Sequence, residues 1–230
     1  MRIVALTFLT LLALAAPPLR AEEAKPFATA ASIDLRAVLK PPPAQDSAQT
    51  KAEIGEVLTI QVTRSAEMEA QAQADAVEDV WRFADVMGPA FKTEALPVFS
   101  AFFDRVVATE GAVVDPAKDS WKRPRPHQAS PLVKPVVKIS NSGAYPSGHT
   151  TVGTIMGIVL SNMVPEKRTE IMDRAWAYGW NRVIGGIHYR SDIEAGRIAG
   201  SVIAARIMEQ PEFQTEFAAA KAELRKVLGL

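Results

Sequence analysis

Two of the chain's three histidines stand in settings that suit acid–base or nucleophilic chemistry. His149 closes the run Pro146-Ser147-Gly148-His149, just ahead of a long apolar stretch. If Ser147 caps a helix there, its hydroxyl and the free amides of the first turn point at one spot, a ready place for an anion. Gly148 lets that anion come close to the backbone. His188 is followed four residues later by Asp192, and a carboxylate at that spacing can accept a hydrogen bond from one ring nitrogen. The other nitrogen is then the unprotonated, outward-facing one, as a base or nucleophile requires. Asn181-Arg182 precedes this pair, and Lys118 with Arg125 forms a further basic group. Seven residues is about two helical turns, so Lys118 and Arg125 can share one side. Pro124 and Pro126 disfavour helix at Arg123 and Arg125, so Arg125 is expected where the helix ends. Each cluster alone also has a plainer reading: a solvated basic patch, a capped helix with a chance histidine, or a helix-capping ion pair.

The elements that must bring these residues together read almost entirely as helix. Asp46 or Ser47 caps a long helical region in which Ile54, Val57 and Leu58, then Val77, Val80, Trp81 and Ala84, recur at helical spacing. Gly88-Pro89 breaks it, and a helix with Leu96, Phe99, Phe103, Val106 and Val107 follows, ending near Gly111. Asp115-Pro116 reads as the cap and first position of the next helix. The proline-rich stretch around Trp121 to Pro135 reads as loop, and Val133 to Ile139 is the one strand candidate, weakened by Pro131 and Pro135. Ser147 to about Met163 is a buried core helix, and another runs from Glu166 to about Arg182. Ser191-Asp192-Ile193-Glu194 reads as a capping box for the next, and Pro211 opens the last. The expected architecture is a single-domain, all-α helical bundle.

Composition limits the alternatives. The 230 residues are 48% hydrophobic and 23% charged with no net charge, which fits a globular chain and gives no sign of a nucleic-acid partner. Arg2, the apolar run Ile3–Ala16 and Pro17-Pro18 fit a signal peptide over residues 1–21, cleaved after Ala21. The run is too short for a membrane span, for which roughly 20 apolar residues are needed. Export to the periplasm follows, with residues 22–46 as an extended proline-containing arm and 47–230 as the helical domain. No cysteine is present, which removes thiol nucleophiles and thiolate metal sites.

Taken in order, Lys118-x6-Arg125-Pro126, Pro146-Ser147-Gly148-His149 and Arg182-x5-His188-x3-Asp192 resemble the signature of the type 2 phosphatidic acid phosphatase superfamily. The chain is similar to its soluble branch, the bacterial class A non-specific acid phosphatases. Leu39-Lys40-Pro41-Pro42-Pro43 and the context Gly143-Ala144-Tyr145 before the second motif add to the likeness. The resemblance implies hydrolysis of phosphomonoesters, with transfer to alcohols as a further outcome. It implies His188 as the phosphorus nucleophile, Asp192 as its orienting partner and His149 as the acid for the leaving alcohol. Lys118, Arg125, Ser147, Gly148 and Arg182 would surround the phosphate oxygens. No metal or organic cofactor is expected, phosphate and vanadate are expected inhibitors, and a homodimer is the expected assembly. A vanadate-dependent haloperoxidase, whose anion pocket is alike, is the alternative. Two positions depart from the family: Asn181 stands where serine is usual, and Gly185 where relatives often carry cysteine. His127 matches no motif position and reads as a loop or structural residue.

Overall fold

A computed structural model describes residues 24–230; the leader expected over residues 1–21 lies outside them. Seven long helices make up the domain: α1 (Ala48–Thr63), α2 (Ala66–Ala74), α3 (Pro97–Trp121), α4 (Gly148–Met163), α5 (Arg168–Ile184), α6 (Arg190–Met208) and α7 (Pro211–Leu228). No strand occurs among the described residues. Helix α4 is the axis of the fold. Its apolar sequence is buried on nearly every face, as expected for a helix without a polar stripe. It is enclosed chiefly by α5 and α6, with α3 on a third side.

Small residues set the distance between these helices. A methyl group added at Gly153 would lie 2.7 Å from the Tyr178 ring, and one at Gly157 would lie 2.7 Å from the Ala175 Cβ. On α6, Gly196 and Gly200 meet the carbonyl oxygens of Ser147 and Thr151, each 2.6 Å from the position a Cβ would take. The backbone at the head of α4 is therefore held directly against α6. The amide of Ser147 also donates to the carbonyl of Asp192 at 3.0 Å, tying the two motifs together through main chain.

Four local expectations are corrected. The break expected between Gly111 and Asp115 is absent, and α3 continues through Pro116. Proline at 116 removes the amide that would have bonded the Ala112 carbonyl. Ala30 of the N-terminal arm donates to that carbonyl instead, at 3.0 Å, so the helix continues without an orphaned acceptor. The long helical region after Ser47 is broken at Arg64-Ser65 and again over Asp75–Asp79. Asp75 is drawn inward by Arg174 at 2.6 Å, Asn181 at 2.7 Å and Arg82 at 2.9 Å, and Asp79 caps the turn Val80–Phe83. The third correction concerns α6. It is capped from Tyr189, whose amide donates to the Asp192 carboxylate at 2.9 Å, and not from Ser191. Residues 133–139 form no strand, and side chains serve that backbone: Gln61 takes the Lys134 amide at 2.6 Å and Gln73 reaches the Val136 carbonyl at 3.1 Å.

The arm packs onto the bundle. Phe27 is buried against Phe102 and Phe213, its amide donates to Thr109 Oγ1 at 2.9 Å, and the Arg105 guanidinium lies 4.0 Å from its ring centroid. Phe27→Ala is expected to destabilise the domain by about 3–5 kcal/mol, as for other buried phenylalanines. Thermal unfolding and proteolysis within residues 24–46 check this; an unchanged midpoint would mean that the arm adds little to the core.

Candidate active site

Five of the motif residues, Lys118, Arg125, His149, Arg182 and His188, line one cavity of about 400 Å³, together with Glu78, Glu110, Asp115, Ser140 and Ser142. They arrive from four places: the last turns of α3, the loop beyond it, the head of α4, and the end of α5 with the turn before α6. Ser147 caps α4 as its spacing predicts, accepting from the Thr150 amide. Gly148 opens the helix beside Lys118: a Cβ on Gly148 would lie 2.9 Å from the Lys118 Nζ. A side chain there would have to displace the ends of Lys118 and Glu110.

His188 is enclosed and fixed at both nitrogens. Nδ1 lies 3.2 Å from the Asp192 carboxylate, and Nε2 lies 3.0 Å from Arg125 Nη1. A guanidinium can only donate, so Nε2 accepts and carries the lone pair, while Nδ1 holds the proton and donates to Asp192. Burial holds the ring well below the ordinary imidazole value, and the charges of Arg125, Lys118, Arg182 and His149 push the same way. His188 is neutral, with its Nε2 lone pair turned toward the cations and held by Arg125.

Asp192 is fully buried. Burial pushes its carboxyl up to about 7, against the pull of Arg123 and of the Tyr189 amide. Arg123 reaches Asp192 at 2.5 Å, the Ser191 hydroxyl at 2.7 Å and Glu53 of α1 at 3.0 Å, and its guanidinium stacks over Tyr189 at 4.1 Å. Glu53 in turn accepts from the amide and hydroxyl of Ser191 at 3.0 Å and 2.8 Å. Neither Arg123 nor Glu53 carries a local signal: one lies in a proline-flanked loop and the other in a solvent-like run of α1. Only the fold brings them behind Asp192.

His149 sits across the cavity. Nδ1 is 2.8 Å from Glu78 Oε1, and Nε2 is 3.0 Å from the Ala76 carbonyl. Both partners are oxygens, so each ring nitrogen faces an atom that can accept a hydrogen bond from it. Tyr178 stacks on it at 6.0 Å between centroids and donates to the Val77 carbonyl. Burial raises the Glu78 carboxyl, but its hydrogen bond to His149 and the charges of His149, Lys118 and Arg182 hold it below its ordinary value. Glu78 belongs to the irregular segment after α2, which the sequence reading had made helix.

Arg182 is buried, and its Nε and Nη1 have no partner among the described residues. Burial pushes the guanidinium down to about 10. An arginine left without an acceptor in a polar cavity is preorganised for an incoming anion. Asn181 points the other way, donating to Asp75 at 2.7 Å; it holds α5 to the segment carrying Ala76 and Glu78. Gly185 packs against Val137. His127 lies in the turn Pro126–Ala129 and does not line the cavity. Chemically, the cavity offers three cationic side chains, Lys118, Arg125 and Arg182, and a helix N-terminus for anion oxygens, with the imidazoles of His188 and His149 beside them.

The PAP2 superfamily model matches residues 105–216. A non-specific acid phosphatase of Providencia stuartii is 30% identical over 214 residues, covering 85% of this chain and 83% of the relative. One from Salmonella typhimurium is also 30% identical over 214 residues, covering 89% and 86%. The fold is shared with a bacterial vanadium-dependent iodoperoxidase, at TM-score 0.52 and 23% identity over 74% of this chain. The chain spans about half, 51%, of that larger protein. A transmembrane PAP2-type phosphatidylglycerolphosphate phosphatase from Bacillus subtilis gives TM-score 0.50 at 16% identity, over 77% of this chain and 88% of that one. No helix among the described residues is long and apolar enough to cross a membrane.

Arg123→Met would leave Glu53 and Asp192 buried without their shared counter-ion, a loss of about 3–5 kcal/mol. Urea unfolding should show a larger loss at pH 8 than at pH 5, because the orphaned carboxyls can neutralise by protonation in acid. Equal losses at both pH values would mean that the carboxyls are not charged against Arg123.

Proposed function

This chain belongs to the non-specific acid phosphatases of the PAP2 superfamily, and from that premise we propose that it hydrolyses phosphomonoesters through a phosphohistidine formed on His188. The observation that carries this reading is the lone pair of His188 Nε2, fixed by Asp192 behind it and turned into a cavity whose other walls are Lys118, Arg125, Arg182 and His149.

The steps follow from these groups. The phosphoryl group enters between the cations, its oxygens taken by Lys118, Arg182 and the amides at the head of α4. Arg125 releases His188 Nε2 and turns to an equatorial oxygen. Nε2 attacks phosphorus, the bond to the leaving oxygen breaks, and its electron pair stays on that oxygen. His149 gives the oxygen its proton, exchanging one of its two present hydrogen bonds for the leaving group. Asp192 stabilises the charge that develops on His188. Water then attacks the phosphohistidine, neutral His149 takes its proton, and His188 departs as neutral imidazole. Phosphoryl transfer needs in-line positioning and charge stabilisation on the equatorial oxygens, which these cations supply without a metal ion. Asn181, tied to Asp75, is read as a support for the His149 side of the cavity and not as a phosphate ligand. The leader-like run of residues 1–21 is the basis for assigning the reaction to the periplasm.

Activity on p-nitrophenyl phosphate should survive EDTA and be blocked by vanadate. His188→Ala should abolish the phosphoenzyme trapped by rapid quench. His149→Ala should lower turnover of alkyl phosphates by roughly 10²–10⁴-fold, the usual worth of a general acid, with a smaller loss for p-nitrophenyl phosphate. A phosphoenzyme that persists in His188→Ala, or halide oxidation with vanadate and peroxide in place of hydrolysis, would overturn the reading.

A further inference from the structure

One buried group in the cavity has no part in the chemistry above. Glu110, on α3, is 5% exposed, and its Oε1 has no hydrogen-bond partner among the described residues. It faces the head of α4: a Cβ on Gly148 would lie 2.5 Å from Glu110 Oε1 and 2.9 Å from Lys118 Nζ. Glu110 and Lys118 thus flank the same Cα, at the point where the free amides of α4 begin. A carboxylate here resembles the oxygen edge of a tetrahedral anion and competes for the same donors.

We propose that Glu110 is a proton-operated competitor for the oxyanion subsite: as a carboxylate it answers Lys118 and the head of α4 in place of the anion, and as a neutral acid it yields that place and donates a hydrogen bond to the bound anion. The proposal rests on the phosphatase reading and deepens it, because it makes the affinity of that site for its anion a function of one proton on Glu110.

The charged neighbours set the direction. On α3 itself, Lys118 and Asp115 face Glu110; Glu78 comes from the segment after α2, His149 from α4 and Arg182 from α5, while Arg125 and His188 line the same cavity. Burial pushes the Glu110 carboxyl up to about 8; the charges of Glu78 and Asp115 add to this, and Lys118 opposes it. A bound dianion raises it further, since it adds negative charge beside the carboxyl. Anion affinity is therefore complete in acid, where Glu110 is neutral, and is lost as pH rises through about 8. This gives the cavity an acid preference that is separate from the protonation of its two histidines.

Sulfate is the probe, because its own charge does not change between pH 6 and 9. Its binding is followed by the imidazole resonances of His149 and His188 in the full chain and in Glu110→Gln, a variant of the same shape that cannot ionise. Above pH 8, affinity for the unaltered protein should fall up to about tenfold more per pH unit than for Glu110→Gln, the slope of one linked proton. Parallel pH profiles would overturn the proposal while leaving the phosphatase reading intact. Sulfate that fails to move either imidazole at pH 6 would overturn the oxyanion site itself, and the Glu110 proposal with it. Calorimetry on the unaltered protein, in two buffers of different ionisation heat, supplies a measure that needs no variant. Proton uptake on sulfate binding should peak near pH 8, and uptake confined below pH 7 would contradict a role for Glu110.

Discussion

Several positive groups are buried around one cavity without matched acceptors of their own, and much of the surrounding architecture follows from that. Arg182 has two guanidinium nitrogens unpaired among the described residues, and Arg125 is satisfied by carbonyl oxygens of Ser142, Gly143 and Ile187 and by the His188 lone pair, with no carboxylate in contact. Such a cluster resists burial, and its charge adds to the effect of burial in holding His188 neutral. The protein tolerates it by placing carboxylates around the cluster: Asp192 and Glu53 behind Arg123, Asp75 beneath Asn181 and Arg174, and Glu78 in the cavity wall against His149.

Rigid elements hold that arrangement. The cap of α4 and the first turn of α6 share a main-chain hydrogen bond between Ser147 and Asp192, and Gly196 lets the two backbones touch. Motifs 45 residues apart in sequence thus move as one unit. Lys118 is carried by α3, whose passage through Pro116 depends on the Ala30 amide. The N-terminal arm also reaches the segment just before α4 through Tyr145, whose hydroxyl donates to the Lys40 carbonyl at 2.6 Å.

The motif residues were legible in the sequence because each is tied to a local signal: a serine cap, a four-residue His–Asp spacing, a proline after the basic helix end. The all-helical class was legible from apolar periodicity. What was missed depends on contacts between distant segments. Glu110 was cut off from Lys118 by the break expected at Gly111–Pro116, since sequence alone does not reveal that Ala30 would satisfy the Ala112 carbonyl and let the helix run on. Glu78 was read into a helix because the pull of Arg174 and Asn181 on Asp75, which unwinds that segment, comes from α5. The Ser191 capping box was two residues out: Glu53 claims the Ser191 amide, and Asp192 turns back to Tyr189.

The central claim is that His188 Nε2 and the buried cations define one oxyanion site with His149 beside it. A crystal structure with orthovanadate bound tests it most directly. Vanadium should be bonded to His188 Nε2, with its equatorial oxygens on Lys118, Arg125, Arg182 and the Gly148 amide, and an apical oxygen facing His149. Vanadate bound elsewhere, or bound in this cavity with His188 still hydrogen-bonded to Arg125 and no bond to vanadium, would contradict it.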